Sequence, residues 1–177
     1  IISAKRHQNL TALLFLDLDQ FKRINDTLGH DIGDLLLIEI ANRLKSCVRA
    51  QDTVARLGGD EFTILLNDIS ESAAVTHVAK NILTNLKQPI RLKNTEVIIS
   101  TSIGITLFPE DGDDVEVLMK NADLALYRAK EQGRDRYHFF TEELNVHAIR
   151  MMHVEQELRK ALQFNEFSLQ FQPQVNL

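Results

Sequence analysis

What this chain lacks narrows its chemistry before any motif is read. Cys47 is the only cysteine, which excludes an internal disulfide and fits a reducing compartment. No apolar segment is long enough to span a bilayer and no signal peptide is visible. The expectation is therefore a cytoplasmic domain without membrane contact of its own, any membrane tether of the parent lying outside this chain. The six histidines show no metal-ligand spacing and are assigned no role. No Gly-x-x-x-x-Gly-Lys-Ser/Thr loop is present, so a Walker-type phosphate cradle is excluded. Internal repeats and low-complexity segments are missing too. The formal net charge of −5 does not suit an electrostatic nucleic-acid binder, and a nucleotide ligand would need its phosphates neutralised locally. What remains is ordinary for a globular chain: 177 residues, 44% hydrophobic and 25% charged, enough to bury a sizeable core.

The most informative stretch is Arg56-Leu57-Gly58-Gly59-Asp60-Glu61-Phe62. It lies between Thr53-Val54-Ala55 and Phe62-Thr63-Ile64-Leu65-Leu66, two β-like runs joined at Gly-Gly, which predicts a hairpin. Glycine admits positive φ and lets a ligand approach the backbone. Asp60 and Glu61 side by side repel unless a cation or donor offsets the repulsion. On extended backbone they point to opposite faces and should find different partners. The bland alternative is a solvated turn.

A second acidic position lies upstream. Thr11 to Leu16 is a nearly continuous apolar run, as a strand buried on both faces requires, and it ends in Asp17-Leu18-Asp19. Carboxylates there could simply cap the strand in water. Set beside the Gly-Gly hairpin, however, Asp17 and Asp60 would form a hard oxygen site for a divalent ion that carries phosphates.

The remaining elements read as follows. Phe21 to Leu28 predicts a short helix closed at Gly29. Asp31 to Val48 predicts a long one with Leu37, Ala41, Leu44 and Val48 on one face. Ser70 or Ser72 is expected to cap the next helix, with Ala74, Val78, Ile82 and Leu86 inward and Pro89 at its end. Glu96 to Phe108, rich in Val, Ile and Thr, reads as strand up to Pro109 and Gly112. Val115, Leu118, Ala122, Ala125 and Ala129 outline a further helix stopped at Gly133. This mixture favours an α/β (α+β) sandwich containing antiparallel strands over a doubly wound parallel sheet.

Several motifs together resemble one family. Phe15-Leu16-Asp17-Leu18-Asp19-Gln20-Phe21-Lys22-Arg23-Ile24-Asn25-Asp26, Gly29-His30-Asp31-Ile32-Gly33-Asp34, Arg56 to Phe62, and Ala122-Asp123 through Tyr127-Arg128-Ala129-Lys130 with Gly133-Arg134 are similar in order and spacing to a GGDEF domain, over about residues 10–140. The resemblance implies a diguanylate cyclase, which condenses two GTP into cyclic di-GMP and releases pyrophosphate. It also implies a central, mainly antiparallel sheet flanked by helices, like nucleotidyl cyclase catalytic domains.

By that resemblance Asp17, the main-chain carbonyl of Leu18, and Asp60 hold Mg2+ (with Mn2+ as an alternative) at the GTP phosphates. One ion sits on the triphosphate, and a second near the attacking 3′-hydroxyl fits the chemistry. Asp60 or its neighbour Glu61 helps deprotonate that hydroxyl. Lys22 stabilises charge on the phosphates, Gly58 and Gly59 form the substrate-facing turn, and Asn25 and Asp34 match the guanine-binding positions. Lys130 and Arg134 match the clamp on the terminal phosphates. Each has a plainer alternative: Asp34 as a cap or charge complement of the first turn of its helix, Asn25 as a turn residue, and the two cations as dipole partners at a helix end.

Arg49-Ala50-Gln51-Asp52 matches the family's Arg-x-x-Asp inhibitory site, where the product cyclic di-GMP binds as an intercalated dimer; an exposed ion pair between Arg49 and Asp52 is the alternative. The resemblance further implies a homodimer with one GTP on each copy. The expected organisation is a GGDEF domain over 1–140, lacking its N-terminal motif and leaving a shortened helix over Ile1 to about Asn9. A connecting helix follows over 141–162, with an apolar stripe of Leu144, Ala148, Met151, Leu158 and Leu162 read as core or domain-joining contact. Residues 163–177 resemble the opening of an EAL phosphodiesterase domain that would lie in cis. The other functional class left open is a GTP-binding regulatory module, without turnover, for that attached domain.

Overall fold

The computed structural model describes residues 10–173; the expected helix over Ile1 to Asn9 lies outside them. Strand β1 (Leu10–Leu18) is the centre of a five-stranded sheet of order β2-β3-β1-β6-β7. It pairs antiparallel with both β3 (Glu61–Ile69) and β6 (Thr101–Phe108). β2 (Thr53–Gly58) runs antiparallel to β3 at one edge, and β7 (Tyr137–Phe139) lies parallel to β6 at the other. The expected mainly antiparallel sheet flanked by helices is therefore the fold observed.

Side-chain alternation along β1 divides the core. Ala12, Leu14, Leu16 and Leu18 face the larger cluster, together with Phe21, Leu36, Ile40, Ile64 and Ile82. That cluster is supplied by α1 (Phe21–Leu28), α2 (His30–Ser46) and α3 (Ser72–Leu86). Leu13 and Phe15 point the other way, against Ala122 and Leu126 of α4 (Val115–Glu131). This second face can be thin because α4 presents alanines and β6 presents Gly104. A Cβ on Gly104 would collide with the main-chain carbonyl of Ala122, so the helix backbone lies almost on the strand. Asp17 shares the parity of Leu13 and Phe15 and is thereby aimed at the α4 side.

Several expectations need correction. Glu96 to Phe108 is not one strand: β5 (Thr95–Val97) pairs with β4 (Ile90–Leu92) in a separate ribbon, and the chain bends at Ile98–Ser100 before β6 begins. The physical reason is Asp19, whose amide donates to the Ser100 carbonyl and whose carboxylate accepts the Ser100 hydroxyl. Neither Ser70 nor Ser72 caps α3. Glu71 holds the cap position without a side-chain hydrogen bond, and the fully buried face is Val75, Ala79, Ile82 and Leu86. Helix α2 spans His30–Ser46 rather than Asp31 to Val48, and Val115 at the start of α4 is exposed, where Asp114 caps through the Val117 amide. Finally α5 (Glu142–Gln163) has no buried residue, so of the two readings of its stripe the core one is overturned: Met151, Leu158 and Leu162 are all exposed. No helix among the described residues is long and apolar enough to cross a membrane.

Candidate nucleotide and metal site

The site assembles where β1 ends, the β2–β3 hairpin turns, and α4 finishes. The β1–β3 register sets Asp17 opposite Glu61, and the Leu18 amide donates to the Asp60 carbonyl at 3.2 Å. Those pairings carry Asp60 to the end of β1. Gly59 takes φ +53 with open space around it, and Arg56 braces the turn by donating from Nε to the Gly59 carbonyl at 2.9 Å. The carboxylates of Asp60 and Glu61 have no hydrogen bond or ion pair among the described residues, so both are available to a ligand.

Asp17 has a partner. Lys130 Nζ lies 2.8 Å from its Oδ2, because the parity of β1 turns the carboxylate toward the last turn of α4. Burial pushes the Asp17 carboxyl above the ordinary carboxylate value; the Lys130 contact opposes this, and Asp60 and Asp19 add repulsion. Like charges collected at the mouth of a buried strand call for a cation, and the ammonium occupies that role here. Among the described residues no three His, Cys, Asp or Glu side chains converge as a closed metal cage. The donor set nevertheless fits Mg2+: hard oxygens from two carboxylates and a main-chain carbonyl, the rest left for phosphate and water.

The other expected residues lie on α1, α2 and the turn after α4, and Asp34 and Arg134 line two different cavities. Lys22 is exposed with no partner for its ammonium among the described residues. Asn25 presses into the space left by Gly33, where a Cβ would strike its amide, and its buried Oδ1 has no hydrogen bond. Asp34 follows Gly33 and opens on a cavity of about 540 Å3 shared with Ala55, Arg56 and Phe62. Arg134 is exposed beside a second cavity, of about 570 Å3, lined also by Gln20, Arg23 and Ser100. Lys130 is thus held by Asp17, whereas the Arg134 guanidinium is unpaired among the described residues. Sequence reading missed Asp19, Gly33 and Arg56. The alternation Asp17-Leu18-Asp19 at the end of a buried run was the available signal for the first.

Arg49 and Asp52 lie apart, at the far end of β2. The Asp52 carboxylate accepts the Arg49 amide at 2.9 Å and the Asn67 amide at 3.1 Å. The anticipated Arg49–Asp52 side-chain ion pair is not formed: the acid is used by the backbone, and the guanidinium has no partner among the described residues, beside a cavity of about 400 Å3 that includes His77 and Asn81.

A family model described as diguanylate cyclase, GGDEF domain, matches residues 1–136. The chain belongs to the GGDEF family. It is 46% identical over 175 residues to MucR of Pseudomonas aeruginosa, a bifunctional diguanylate cyclase and cyclic di-GMP phosphodiesterase, covering 99% of this chain and 25% of MucR. It is 42% identical over 162 residues to the cyclic di-GMP phosphodiesterase NbdA of the same organism, covering 92% of this chain and 21% of NbdA. The crystal structure of the TpbB GGDEF domain from Pseudomonas aeruginosa superposes with a TM-score of 0.77 at 42% identity, over 79% of this chain and 88% of that one. The chain thus spans about a quarter or less of the length of MucR and NbdA.

Proposed function

We propose that this GGDEF chain is an active diguanylate cyclase, condensing two GTP into cyclic di-GMP when two copies face each other with one nucleotide each. The observation that carries the reading is the corner itself: Asp17 and Asp60 brought together, Asp60 and Glu61 unpaired, and a lysine standing where a cation belongs. Each 3′-oxygen attacks the α-phosphorus of the opposite GTP, the bond to the bridging oxygen of the β-phosphate breaks, and pyrophosphate leaves. Asp60 or Glu61 takes the proton from the hydroxyl. Asp17, Asp60 and the Leu18 carbonyl would hold Mg2+ (or Mn2+), which neutralises phosphate charge when bound.

Lys130, released from Asp17, and Arg134 hold the terminal phosphates, and Lys22 adds a third positive charge. Asn25 and Asp34 read guanine; a carboxylate accepting from guanine N1 and N2 finds no such donor pair on adenine, giving GTP over ATP. Gly58 and Gly59 leave room for the nucleotide against the backbone. Arg49, whose main-chain amide is held by Asp52 and whose guanidinium has no partner among the described residues, supplies a product-inhibition site for cyclic di-GMP. The preferred organisation keeps the GGDEF domain within 1–140, α5 as a connector, and residues 163–177 as the opening of an EAL domain in cis, with the chain acting in the cytoplasm.

The second reading is a GTP-binding regulatory module without turnover for an attached phosphodiesterase domain. It is favoured by the likeness to NbdA, which is named for phosphodiesterase activity alone. The two readings separate on incubation with GTP and Mg2+, with Asp60→Ala alongside. Cyclic di-GMP formed by the parent chain and lost in the variant supports the cyclase. GTP binding without product, even after two copies are tethered, supports the module.

A further inference from the structure

We propose that Asp19 is a positioning residue for the triphosphate clamp, tying the turn that carries Arg134 to the strand end that carries Asp17. The proposal rests on the reading of Arg134 as a ligand of the terminal phosphates. Asp19 is 7% exposed and both of its carboxylate oxygens are in use. Oδ1 accepts the Ser102 hydroxyl at 2.7 Å. Oδ2 accepts the Ser100 hydroxyl at 2.6 Å and the Asp135 main-chain amide at 3.1 Å. The Asp19 amide donates in turn to the Ser100 carbonyl at 2.9 Å. One carboxylate therefore joins the end of β1, the bend before β6, the start of β6 and the turn after α4.

That turn requires holding. Gly133, Arg134 and Asp135 have φ values of 107°, 63° and 54°. Two consecutive non-glycine residues in the left-handed region are strained and persist only where the surroundings over-determine them. The Asp135 side chain has a second anchor on Lys87, at 2.5 Å, but that pair is substantially exposed and its acid retains a buried oxygen without a partner; exposed pairs hold weakly. The buried anchor is Asp19. Its partners also distinguish it from Asp17, two residues away: Asp17 exchanges partners at the reacting end, whereas both oxygens of Asp19 are engaged by the protein itself.

The test measures binding of a non-hydrolysable GTP analogue with Mg2+, and of GMP, to the 177-residue chain and its variants by calorimetry. Asp19→Ala should weaken the triphosphate about tenfold, the usual scale for losing a supporting residue, and leave GMP unchanged, because GMP never reaches Arg134. Asp19→Asn should restore binding: its amide can accept from Ser100 and Asp135 on one side and donate to Ser102 on the other. Arg134→Ala should show the same selective loss, with the double variant scarcely worse than either single one. Equal weakening of GMP, an Asn variant as poor as Ala, or additive losses would each overturn the proposal while leaving the cyclase reading intact. A parent chain that binds neither nucleotide overturns both. Where Asp19→Ala does not fold, Ser100→Ala removes one donor from Oδ2 and must reproduce the selective loss of triphosphate.

Discussion

At the tip of the β2–β3 hairpin two acids are unpaired among the described residues while a lysine rests on the neighbouring Asp17, whereas at its base the acid is consumed and the arginine is unpaired among the described residues. Asp60 and Glu61 occupy the tip, beside Asp17 and Lys130. Arg49 and Asp52 occupy the base, where Asp52 spends both oxygens on main-chain amides. Six residues of β2 lie between, about 20 Å of extended chain. Opposite charges are thus left available at the two ends. Free carboxylates can recruit phosphate only through a cation, while a free guanidinium recruits phosphate or a guanine edge directly. The deciding variable is which charged group the backbone has already satisfied.

Breaking the tip should have the largest effect. Asp60→Ala removes a charged group from the reacting corner and should lower cyclic di-GMP formation on the order of 10²–10³-fold, read as initial rate at saturating GTP, with thermal unfolding little changed because the Asp60 carboxylate bonds to nothing among the described residues. Chelation sharpens the contrast. EDTA should abolish binding of a GTP analogue, which needs the ion at the tip, but leave cyclic di-GMP binding at the base intact; loss of both by calorimetry would mean that the ends are not chemically distinct.

Breaking the base is next in size. Arg49→Ala removes charge-assisted hydrogen bonds of about 1.5–3 kcal/mol, so half-inhibition by cyclic di-GMP should move up about tenfold to a hundredfold while the initial rate before product accumulates is kept. Unchanged inhibition would remove Arg49 from the site. Asp52→Ala separates structure from binding at the same place. It strands the Arg49 and Asn67 amides and should lower Tm by a few degrees, as about 1 kcal/mol does in a chain of this size, an effect that Arg49→Ala should not show.

The frame of this contrast was legible from the residues. The buried run of β1, the Gly-Gly hairpin and the alanine stripe of α4 each obey a single period, and short-range pattern is what sequence displays best. Asp17 and Asp60 were named from motifs, and register then brought them together. Less legible was anything decided by a partner far along the chain. Val and Ile density between Glu96 and Phe108 reports suitability for a sheet, but the bend at Ile98–Ser100 answers to Asp19. Ser72 resembles a cap by composition, yet capping depends on the φ and ψ of the preceding residue, which Glu71 supplies. The stripe of α5 shows helical spacing, which cannot say whether anything covers it. Nor could residue types reveal that Lys130 rests on Asp17 while Arg134 stands apart, since that depends on the parity of β1 and the left-handed turn after α4.

The most direct measurement is the stoichiometry of turnover: cyclic di-GMP and pyrophosphate quantified together after this chain is supplied with GTP and Mg2+. The account predicts two pyrophosphates for each cyclic di-GMP, because two α–β phosphoanhydride bonds break for one ring closed. GTP bound at the tip with neither product formed, in free chains and in tethered pairs alike, would contradict it.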